Sequence, residues 1–392
     1  MNKKQLIFRW VGLLALVAGA AILGLVWILP RPETAVQAQV IGMETPLSSA
    51  DFDRVTGPRE LIFPRDFGPH PDFQTEWWYY TGNLEGEDGR RFGYQLTFFR
   101  RAVRPAEERL ERSSDWATEQ VYMAHFALTD VNGRAFYANE RFERGAAGLA
   151  GAQGEPFYRV WLRDWQVEQT GVNTYRLRAA EETLSLDLEL VDRKGIILQG
   201  DQGYSQKGPE PGNASLYFSQ TRLESRGTIT LGQQIHQVSG LSWLDREIST
   251  SALGPGQVGW DWFALQLDDG SELMAYTLRQ ADGSIDAFSR GMIIDPEGRT
   301  IILGKDDFRV DPQSTWRSPH SGGDYPSSWL IEVPGYDLSL RVSPLLADQE
   351  LKLSFRYWEG AVQVSGSRAG SEVSGFGYAE LTGYAQSMEG GF

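Results

Sequence analysis

The 392-residue sequence contains no cysteine. Disulfide bonds are therefore excluded even in an oxidising compartment, and so is a membrane anchor built on a lipid-modified cysteine. Stretches typical of long helices are also scarce. The fold must be stabilised by its hydrophobic core alone.

Short catalytic signatures are missing as well. The sequence has no Gly-x-Ser-x-Gly, no His-Glu-x-x-His, no phosphate-binding loop and no dinucleotide fingerprint. Its four histidines, His70, His125, His236 and His320, are scattered without the spacing of metal ligands. We therefore predict neither a metal site nor a cofactor.

Basic residues are outnumbered, with 37 Lys and Arg against 52 Asp and Glu and a formal net charge of −15. An acidic protein is repelled by nucleic acid and by anionic membrane surfaces. We expect no nucleic-acid partner, and no sequence feature identifies a protein partner.

The N-terminus carries a membrane-targeting segment. Lys3, Lys4 and Arg9 precede an uncharged apolar stretch, Trp10–Leu29. About 20 apolar residues can cross a bilayer, whereas the core of a cleavable signal is roughly 7–15 residues long. We predict that residues 1–30 form a signal-anchor helix with the body extracytoplasmic, because basic flanks stay inside. A signal peptide cleaved after Val36-Gln37-Ala38, giving a secreted protein, is the alternative.

The remaining composition is typical of strands and turns, with 43 Gly, 13 Trp, 15 Tyr and 19 Phe. Short stretches rich in β-branched and aromatic residues alternate with turn signals, which indicates an all-β, antiparallel fold. The turn signals are Glu87-Asp88-Gly89, Asn132-Gly133, Asp269-Gly270, Asp282-Gly283 and Pro296-Glu297-Gly298.

One pattern occurs twice. Glu76–Leu84, a turn at Asp88-Gly89 and a return strand are matched by Trp260–Leu267, a turn at Asp269-Gly270 and a return strand. A repeat of this kind predicts two similar β-barrels in tandem. We place a linker at 31–60, the first barrel at 61–240 and the second at 241–392; one large sandwich is the alternative.

Carboxylates are embedded among aromatic residues in three clusters, Glu76–Tyr80, Trp243–Glu247 and Gly259–Phe263. A carboxyl group surrounded by rings is poorly solvated, which raises its pKa towards that of a general acid. Aromatic faces also attract cations. Such a set could protonate an alkene and hold the carbocation until water adds.

Each cluster also has a structural interpretation. The aromatic residues around Glu76 are ordinary strand formers that pack in cores. Asp245, Arg246 and Glu247 could form an ion pair at the end of a barrel.

Three single residues have the same ambiguity. Strand alternation places Asp261 on the face opposite Trp260 and Trp262. Tyr276 lies in an apolar stretch, where a buried phenol with one hydrogen bond is common. His125 is either a core histidine or a pocket residue that titrates near neutral pH.

The sequence resembles the carotenoid 1,2-hydratase family, also called the hydroxyneurosporene synthase or AttH-like group, whose bacterial members are often labelled predicted secreted hydrolases. The resemblance extends from about Phe63 to Tyr384 and implies two lipocalin-like antiparallel β-barrels. It rests on Glu76–Leu84, Gln95–Arg100, Tyr122–Phe126, Lys207-Gly208, Leu216–Ser219, Trp243–Ser249, Gly259–Asp269 and Gly375–Tyr384.

The family's catalytic pattern is only partly present. In this family, the members that hydrate carotenoids carry a His-x-Trp pair and a Tyr-x-Asp pair. By resemblance, the first pair corresponds here to Arg246 and Ile248, and the second to Tyr276 and Leu278. Because the usual proton donor is replaced, Asp245 and Glu247 are the nearest alternative acids.

These considerations give a set of candidate residues. We predict Asp245, Glu247 and Tyr276 as catalytic. The candidate substrate-binding residues are Trp78, Tyr80, His125, Tyr217, Trp243, Arg246, Trp260, Asp261 and Trp262.

Two functions remain open. The first is an exported enzyme, a hydro-lyase or a hydrolase, that carries out acid-catalysed hydration or related chemistry on an apolar, for example isoprenoid, substrate. The second is a lipocalin-like protein that binds or carries a lipid without altering it. In either case the expected partners are an apolar small molecule or lipid and, through the N-terminal segment, the membrane.

Overall fold

Almost all regular structure is β-strand in the computed structural model, which describes residues 52–105, 113–251 and 253–388. The strands form two antiparallel sheets, one of 13 strands and one of 10. The sheets are curled into a barrel and a half-barrel. The predicted all-β fold class is confirmed.

The first sheet has the strand order β4-β3-β2-β1-β13-β12-β9-β8-β7-β6-β5, and β10 and β11 pair with β12. Its strands are β1 Thr75–Gly86, β2 Arg91–Ala102, β3 Gln120–Asp130, β4 Ala135–Arg144, β5 Ala150–Gln153, β6 Arg159–Leu162, β7 Trp165–Gly171, β8 Thr174–Glu181, β9 Leu184–Asp192, β10 Ile196–Leu198, β11 Tyr204–Gln206, β12 Ala214–Leu231 and β13 Gln234–Ser249.

The second sheet has the order β17-β16-β15-β14-β23-β22-β20-β19-β18, and β21 pairs with β22. Its strands are β14 Gln257–Leu267, β15 Glu272–Gln280, β16 Arg290–Ile294, β17 Thr300–Leu303, β18 Arg309–Arg317, β19 Asp324–Val333, β20 Leu338–Pro344, β21 Glu350–Lys352, β22 Arg356–Arg368 and β23 Ser371–Leu381. Short 3-10 turns occur at Arg65–Phe67 and Pro334–Tyr336.

The two sheets repeat one topology. In each, four strands form a meander and the last strand of the sheet pairs with the first, β13 with β1 and β23 with β14. The registers also correspond, since Leu84 lies opposite Gly240 and Leu267 lies opposite Gly375.

Glycine is required at these two matched positions. A Cβ on Gly240 would lie 2.1 Å from the Asn83 carbonyl oxygen, and one on Gly375 would lie 2.1 Å from that of Gln266. The neighbouring strands approach so closely there that no side chain fits.

The five predicted turns all lie between consecutive paired strands. Gly89 and Gly270 adopt φ values of 76° and 84°, the left-handed conformation that tight hairpin turns need. At Asn132-Gly133 the left-handed residue is instead Arg134, with φ of 53°.

Each sheet encloses a hydrophobic core of its own, and a third cluster lies between the sheets. Strand β1 packs against β23, and β2 packs against β22. Tyr79, Tyr217, Trp243, Trp262 and Tyr276 all belong to the cluster between the sheets.

The segment before β1 packs onto the first sheet. Phe52 and Val55 are buried, and Val55 contacts a small cluster that includes Leu216 and Ile248. Packing against the sheet therefore already occurs within the range 31–60 that was predicted as a linker. The predicted division at Gly240 lies within β13, and the chain passes from the first sheet to the second between Ser249 and Gln257.

The apolar segment Trp10–Leu29 lies outside the described residues. Within residues 52–105, 113–251 and 253–388, no helix combines the length and the hydropathy needed to span a membrane.

Candidate active site

A cavity of about 80 Å³ lies at the contact between the two sheets. The first sheet and its loops contribute one part of its wall and the second sheet contributes the rest. The lining residues are Trp77, Tyr79, Thr97, Phe99, Lys207, Asp245, Glu247, Trp260, Trp262, Tyr276, Leu278, Tyr357 and Glu380.

Strand alternation determines which side chains reach this cavity. Successive side chains in a strand point to opposite faces, so odd-numbered residues of β1 and β13 share the face that meets the second sheet. Tyr79 lies directly opposite Asp245, and Trp77 lies opposite Glu247. The register therefore brings two aromatic residues beside two acids.

Asp245 is buried and held by three donors. Ser219 Oγ donates to Oδ1 at 2.5 Å, Trp243 Nε1 donates to Oδ1 at 2.6 Å, and the Tyr217 hydroxyl donates to Oδ2. Burial raises the pKa of Asp245 to about 7, although these hydrogen bonds lower it; the charge of Glu247 raises it further. Asp245 can thus exchange a proton near neutral pH.

Glu247 forms an ion pair with Lys207, whose Nζ lies 3.5 Å from Oε2. The ammonium group also lies 4.2 Å from the ring centroid of Tyr276 and 5.3 Å from that of Tyr217. Burial lowers the pKa of Lys207, but Glu247, Tyr276 and Asp245 together more than offset this, and the net pKa is raised. Lys207 is therefore a cation fixed inside the cavity.

The second sheet supplies two further acids, Glu380 on β23 and Glu359 opposite it on β22. Trp260 Nε1 donates to Glu380 Oε2 at 2.9 Å, and the Tyr79 hydroxyl donates to Glu359. Burial raises the pKa of Glu380 to about 7. Burial and then the charge of Glu380 raise the pKa of Glu359 well above its usual range, which favours its neutral form.

Five predicted aromatic residues surround these acids. Trp260, Trp262 and Tyr276 line the cavity. Trp262 Nε1 lies 3.2 Å from the Tyr217 hydroxyl that binds Asp245, and the Tyr276 hydroxyl lies 3.2 Å from Ser205 Oγ. With Trp243, these residues and the two predicted acids of β13 form one hydrogen-bonded and packed group.

Trp78 and Tyr80 lie elsewhere, because alternation points them into the core of the first sheet. Trp78 Nε1 donates to the Phe67 carbonyl at 2.7 Å, and the Tyr80 hydroxyl lies 3.0 Å from that of Tyr158. Their neighbours Trp77 and Tyr79 are the residues that line the cavity.

Arg246 is also on the core face of the first sheet. Its guanidinium donates to Glu76, which Arg100 contacts at 2.6 Å, and it lies 4.0 Å from the Trp78 ring. All these charges are fully buried. Burial would raise the pKa of Glu76, but Arg100 and Arg246 hold it well below its usual range. Arg246 therefore neutralises Glu76 in the core and does not line the cavity.

Asp261 points away from the cavity, as the alternation argument anticipated for a residue between Trp260 and Trp262. Arg279 Nε contacts Asp261 Oδ1 at 3.1 Å, and the Tyr384 hydroxyl donates to Oδ2 at 2.9 Å. Asp261 is thus satisfied by an ion pair and a phenol.

His125 lies behind the cavity wall. Its Nδ1 is 2.7 Å from the hydroxyl of Tyr357, a lining residue, and its Nε2 is 3.3 Å from Glu140 Oε1. Burial lowers the pKa of His125, although Glu140 partly raises it. His125 contacts the cavity only through Tyr357.

Sequence analysis missed several residues of the site: Tyr79, Lys207, Tyr357 and Glu380, which line the cavity, and Glu359, which accepts a hydrogen bond from Tyr79. A signal was present for the two acids, since Tyr357-Trp358-Glu359 and Tyr378-Ala379-Glu380 also place carboxylates beside aromatic residues. Their role depends on long-range strand pairing.

The chemistry available is proton transfer in a poorly solvated, aromatic-walled space. Acids from both sheets converge with phenols and one ammonium group. Across the described ranges of the chain, no cluster of three or more His, Asp or Glu side chains is arranged to hold a metal ion.

Comparisons with known proteins agree with this architecture. Residues 54–384 match the AttH-like family model. A crystal structure of an AttH protein from Nitrosomonas europaea is 35% identical and covers 85% of this chain and 100% of its own, with a TM-score of 0.75.

Two more distant proteins are also similar. Kievitone hydratase from Nectria haematococca shares the fold at 14% identity, with a TM-score of 0.63 and coverage of 86% of this chain and 96% of its own. Dehydratase asqC from Emericella nidulans is 22% identical over 230 residues, which are 55% of this chain and 63% of the dehydratase.

The family model spans most of the chain, and the Nitrosomonas protein is matched over 100% of its own length and 85% of this chain. This chain belongs to the AttH-like family.

Proposed function

We propose that this protein is a hydratase-type enzyme that adds water to, or removes it from, an apolar substrate by acid catalysis. One observation carries the proposal: the Asp245 carboxyl is buried in an aromatic-walled cavity, and burial raises its pKa to about 7. A catalytic acid is most effective when its pKa lies near the working pH.

The names of two similar proteins support this reaction class. One is a hydratase and the other a dehydratase, so both names refer to the chemistry of water and a double bond. The two names differ in the direction of the reaction, and we leave both directions open.

In the direction of hydration, the Asp245 O–H bond breaks and its proton forms a C–H bond with one alkene carbon. The adjacent carbon becomes cationic and is stabilised by the faces of Trp260, Trp262 and Tyr276. Water then forms the C–O bond and gives its proton to a carboxylate. Glu247 is engaged by Lys207, so Asp245 is the better-placed donor.

The cavity volume limits what can enter. At about 80 Å³ it is much smaller than the 300–1,000 Å³ of a site that encloses a drug-sized ligand. We therefore propose that the reactive end of a chain occupies the cavity, as the terminal double bond of an isoprenoid would, while the rest of the substrate lies outside.

A lipid carrier is less well supported. Sites that enclose a drug-sized ligand usually measure 300–1,000 Å³. A larger cleft of about 1260 Å³ is lined by charged pairs such as Arg91–Glu85 and Arg176–Asp187, which do not suit an apolar ligand.

The test uses prenyl lipids that carry isolated double bonds, incubated with the full protein in 18O-labelled water. We expect a product that gains one labelled water, and at least a 100-fold lower rate for Asp245→Asn, the loss expected for a general acid. Asp192→Asn is the matched control, because Asp192 is a buried aspartate outside the cavity. Unchanged turnover in both Asp245→Asn and Glu247→Gln would contradict the assignment.

We also propose that the enzyme is exported and held at the membrane by its N-terminal segment. The support is Lys3, Lys4 and Arg9 before Trp10–Leu29. Protease added to spheroplasts should digest the body, and salt washing should not release it from membranes. A protected body in the cytosolic fraction would contradict export, and release in soluble form would favour signal cleavage.

A further inference from the structure

Asp245 and Glu380 occupy equivalent positions in the two halves of the molecule. Tyr79 of β1 lies opposite Asp245, and Trp262 of β14 lies opposite Glu380. The matched glycines lead to the same correspondence, because Asp245 lies five residues after Gly240 and Glu380 lies five residues after Gly375. The internal repeat therefore supplies each half with one acid at the same place.

Contacts between the halves follow the same equivalence. Asn83 Nδ2 donates to the Gly377 carbonyl at 2.8 Å, and Gln266 Nε2 donates to the Ser242 carbonyl at 3.0 Å. Asn83 corresponds to Gln266, and Ser242 corresponds to Gly377, so each half makes the same bond to the other. A pseudo-two-fold relation thus brings the two acids to one cavity.

The two acids also share one type of hydrogen-bond donor, although the two donors lie at non-equivalent positions of the repeat. Each accepts a hydrogen bond from an indole, Asp245 from Trp243 and Glu380 from Trp260, and each lines the cavity. The titratable groups that surround the pair are Glu247, Glu359, Lys207, Tyr79, Tyr217, Tyr276 and Tyr357.

We infer that Glu380 is a second catalytic carboxyl and that it forms, with Asp245, an acid–base pair holding one proton between them. This inference rests on the proposed function, because it names the group that accepts the proton of water. One protonated and one ionised member are what a hydration reaction requires.

The reaction balances with this pair. Asp245 gives its proton to the alkene, water bonds to the resulting cation, and the Glu380 carboxylate takes the proton that water loses. The alkene and one water become an alcohol, and the pair still holds one proton, now on Glu380. Proton transfer back to Asp245 restores the starting state.

Electrostatics agree with this geometry. Burial raises the pKa of both carboxyls to about 7; the charge of Glu247 and then that of Asp245 add to the rise for Glu380, and the charge of Glu247 adds to that for Asp245. The raised pKa of Glu359 favours its neutral form, and the positive charge of Lys207 offsets the negative charge of Glu247. Two such interacting groups titrate together as a pair.

The decisive experiment is a carboxyl titration that needs no substrate. The full protein, labelled with 13C at the Asp and Glu side-chain carboxyls, is titrated by NMR as wild type, Asp245→Asn, Glu380→Gln and Asp192→Asn. We expect two resonances that both titrate above the ordinary range of a carboxyl and share the same two steps, each resonance being lost in one cavity variant, and a lower Glu380 midpoint in Asp245→Asn. Ionisation of Glu380 at its ordinary midpoint, or a midpoint unaffected by Asp245→Asn, would overturn the pair.

An activity profile separates failure of the pair from failure of the proposed function. With any prenyl lipid that the wild type hydrates, kcat/KM should follow a bell-shaped pH profile, and Glu380→Gln should lower kcat at least 100-fold and remove the limb that reports the base. Full activity in Glu380→Gln with an inactive Asp245→Asn would overturn the pair alone. Absence of hydration by the wild type would contradict the proposed function, while the titration still decides the pair.

Discussion

The Asp245 carboxyl shows what burial does to an ordinary side chain. Its usual pKa is 3.8, and burial raises it to about 7 in the folded protein. Because the folded state binds this proton more tightly than the unfolded state does, the stabilisation is complete below about pH 4 and is lost as pH rises to about 7. The buried Asp245 carboxylate therefore destabilises the fold near neutral pH, where Asp245 is proposed to act as a general acid.

This gives a prediction for Asp245→Asn. Asparagine cannot become charged; its amide oxygen can accept from Ser219 and Trp243, whereas its amide nitrogen can only donate to the Tyr217 hydroxyl. The variant should therefore gain about 1–4 kcal/mol in free energy of unfolding at pH 8. Near pH 4 the two proteins should be equally stable. Urea unfolding at the two pH values measures this, and a variant less stable than wild type at pH 8 would contradict it.

Arg246 illustrates the opposite case, a charge used for structure. Arg246→Met would leave Glu76 with one fewer partner in a fully buried site, and we expect a loss of about 3–5 kcal/mol in free energy of unfolding. Arg226→Met is the control, because its pair with Glu189 is exposed and should be worth less than about 1 kcal/mol. Urea unfolding near neutral pH compares the two, and equal losses would contradict the assignment of Arg246 to the core.

Chemistry at single residues was partly predictable from the sequence. Asp245 and Glu247 were identified because a carboxylate among aromatic residues is poorly solvated whatever the tertiary structure. Glu380 carries the same signal, but its importance depends on β23 pairing with β14 and facing the first sheet. Local sequence contains no information about that pairing.

For the strands, the alternation of side chains between two faces could be predicted from the sequence, but which residues face the cavity could not. Every residue from Trp77 to Tyr80 is aromatic, so the sequence does not indicate which members face outward. The register with β13 decides the phase, placing Trp77 and Tyr79 at the cavity and Trp78 and Tyr80 in the core.

The matched glycines give a prediction at the same scale. In Gly240→Ala and Gly375→Ala the new methyl group would meet a carbonyl oxygen at 2.1 Å, which forces the adjoining strands apart. We expect each variant to lose about 1–3 kcal/mol in free energy of unfolding, as overpacked sites do. Gly57→Ala has open space around the new Cβ and should be neutral in the same urea titration.

For the whole molecule, the repeat and the all-β class were predictable because hairpin turns and aromatic strands are local features. Contact between the two sheets was not, since it depends on Asn83 and Gln266 reaching carbonyls far away in the sequence.

These contacts predict how the protein unfolds. The cluster between the sheets buries Tyr79, Trp243, Trp262 and Tyr276. Either half alone would expose this apolar surface to water. Thermal unfolding followed by circular dichroism and by tryptophan fluorescence should give one coincident transition. Gln266→Met, which removes both amide hydrogen bonds to the first sheet, should lower its midpoint. Two separated transitions in the wild type would contradict this coupling.

The repeat also bears on stereochemistry. In the proposed pair the donor Asp245 belongs to one half and the acceptor Glu380 to the other, so exchanging their roles would bring the proton to the opposite face of a planar double bond. Selection must come from residues at which the halves differ. The second half has Thr382 at the position of Glu247, and Glu359 at the position of Ser219. The handedness of the product would then depend on which acid holds the proton, a choice biased by Glu247 with its partner Lys207 and by Glu359, and substitutions there would lower enantiomeric purity.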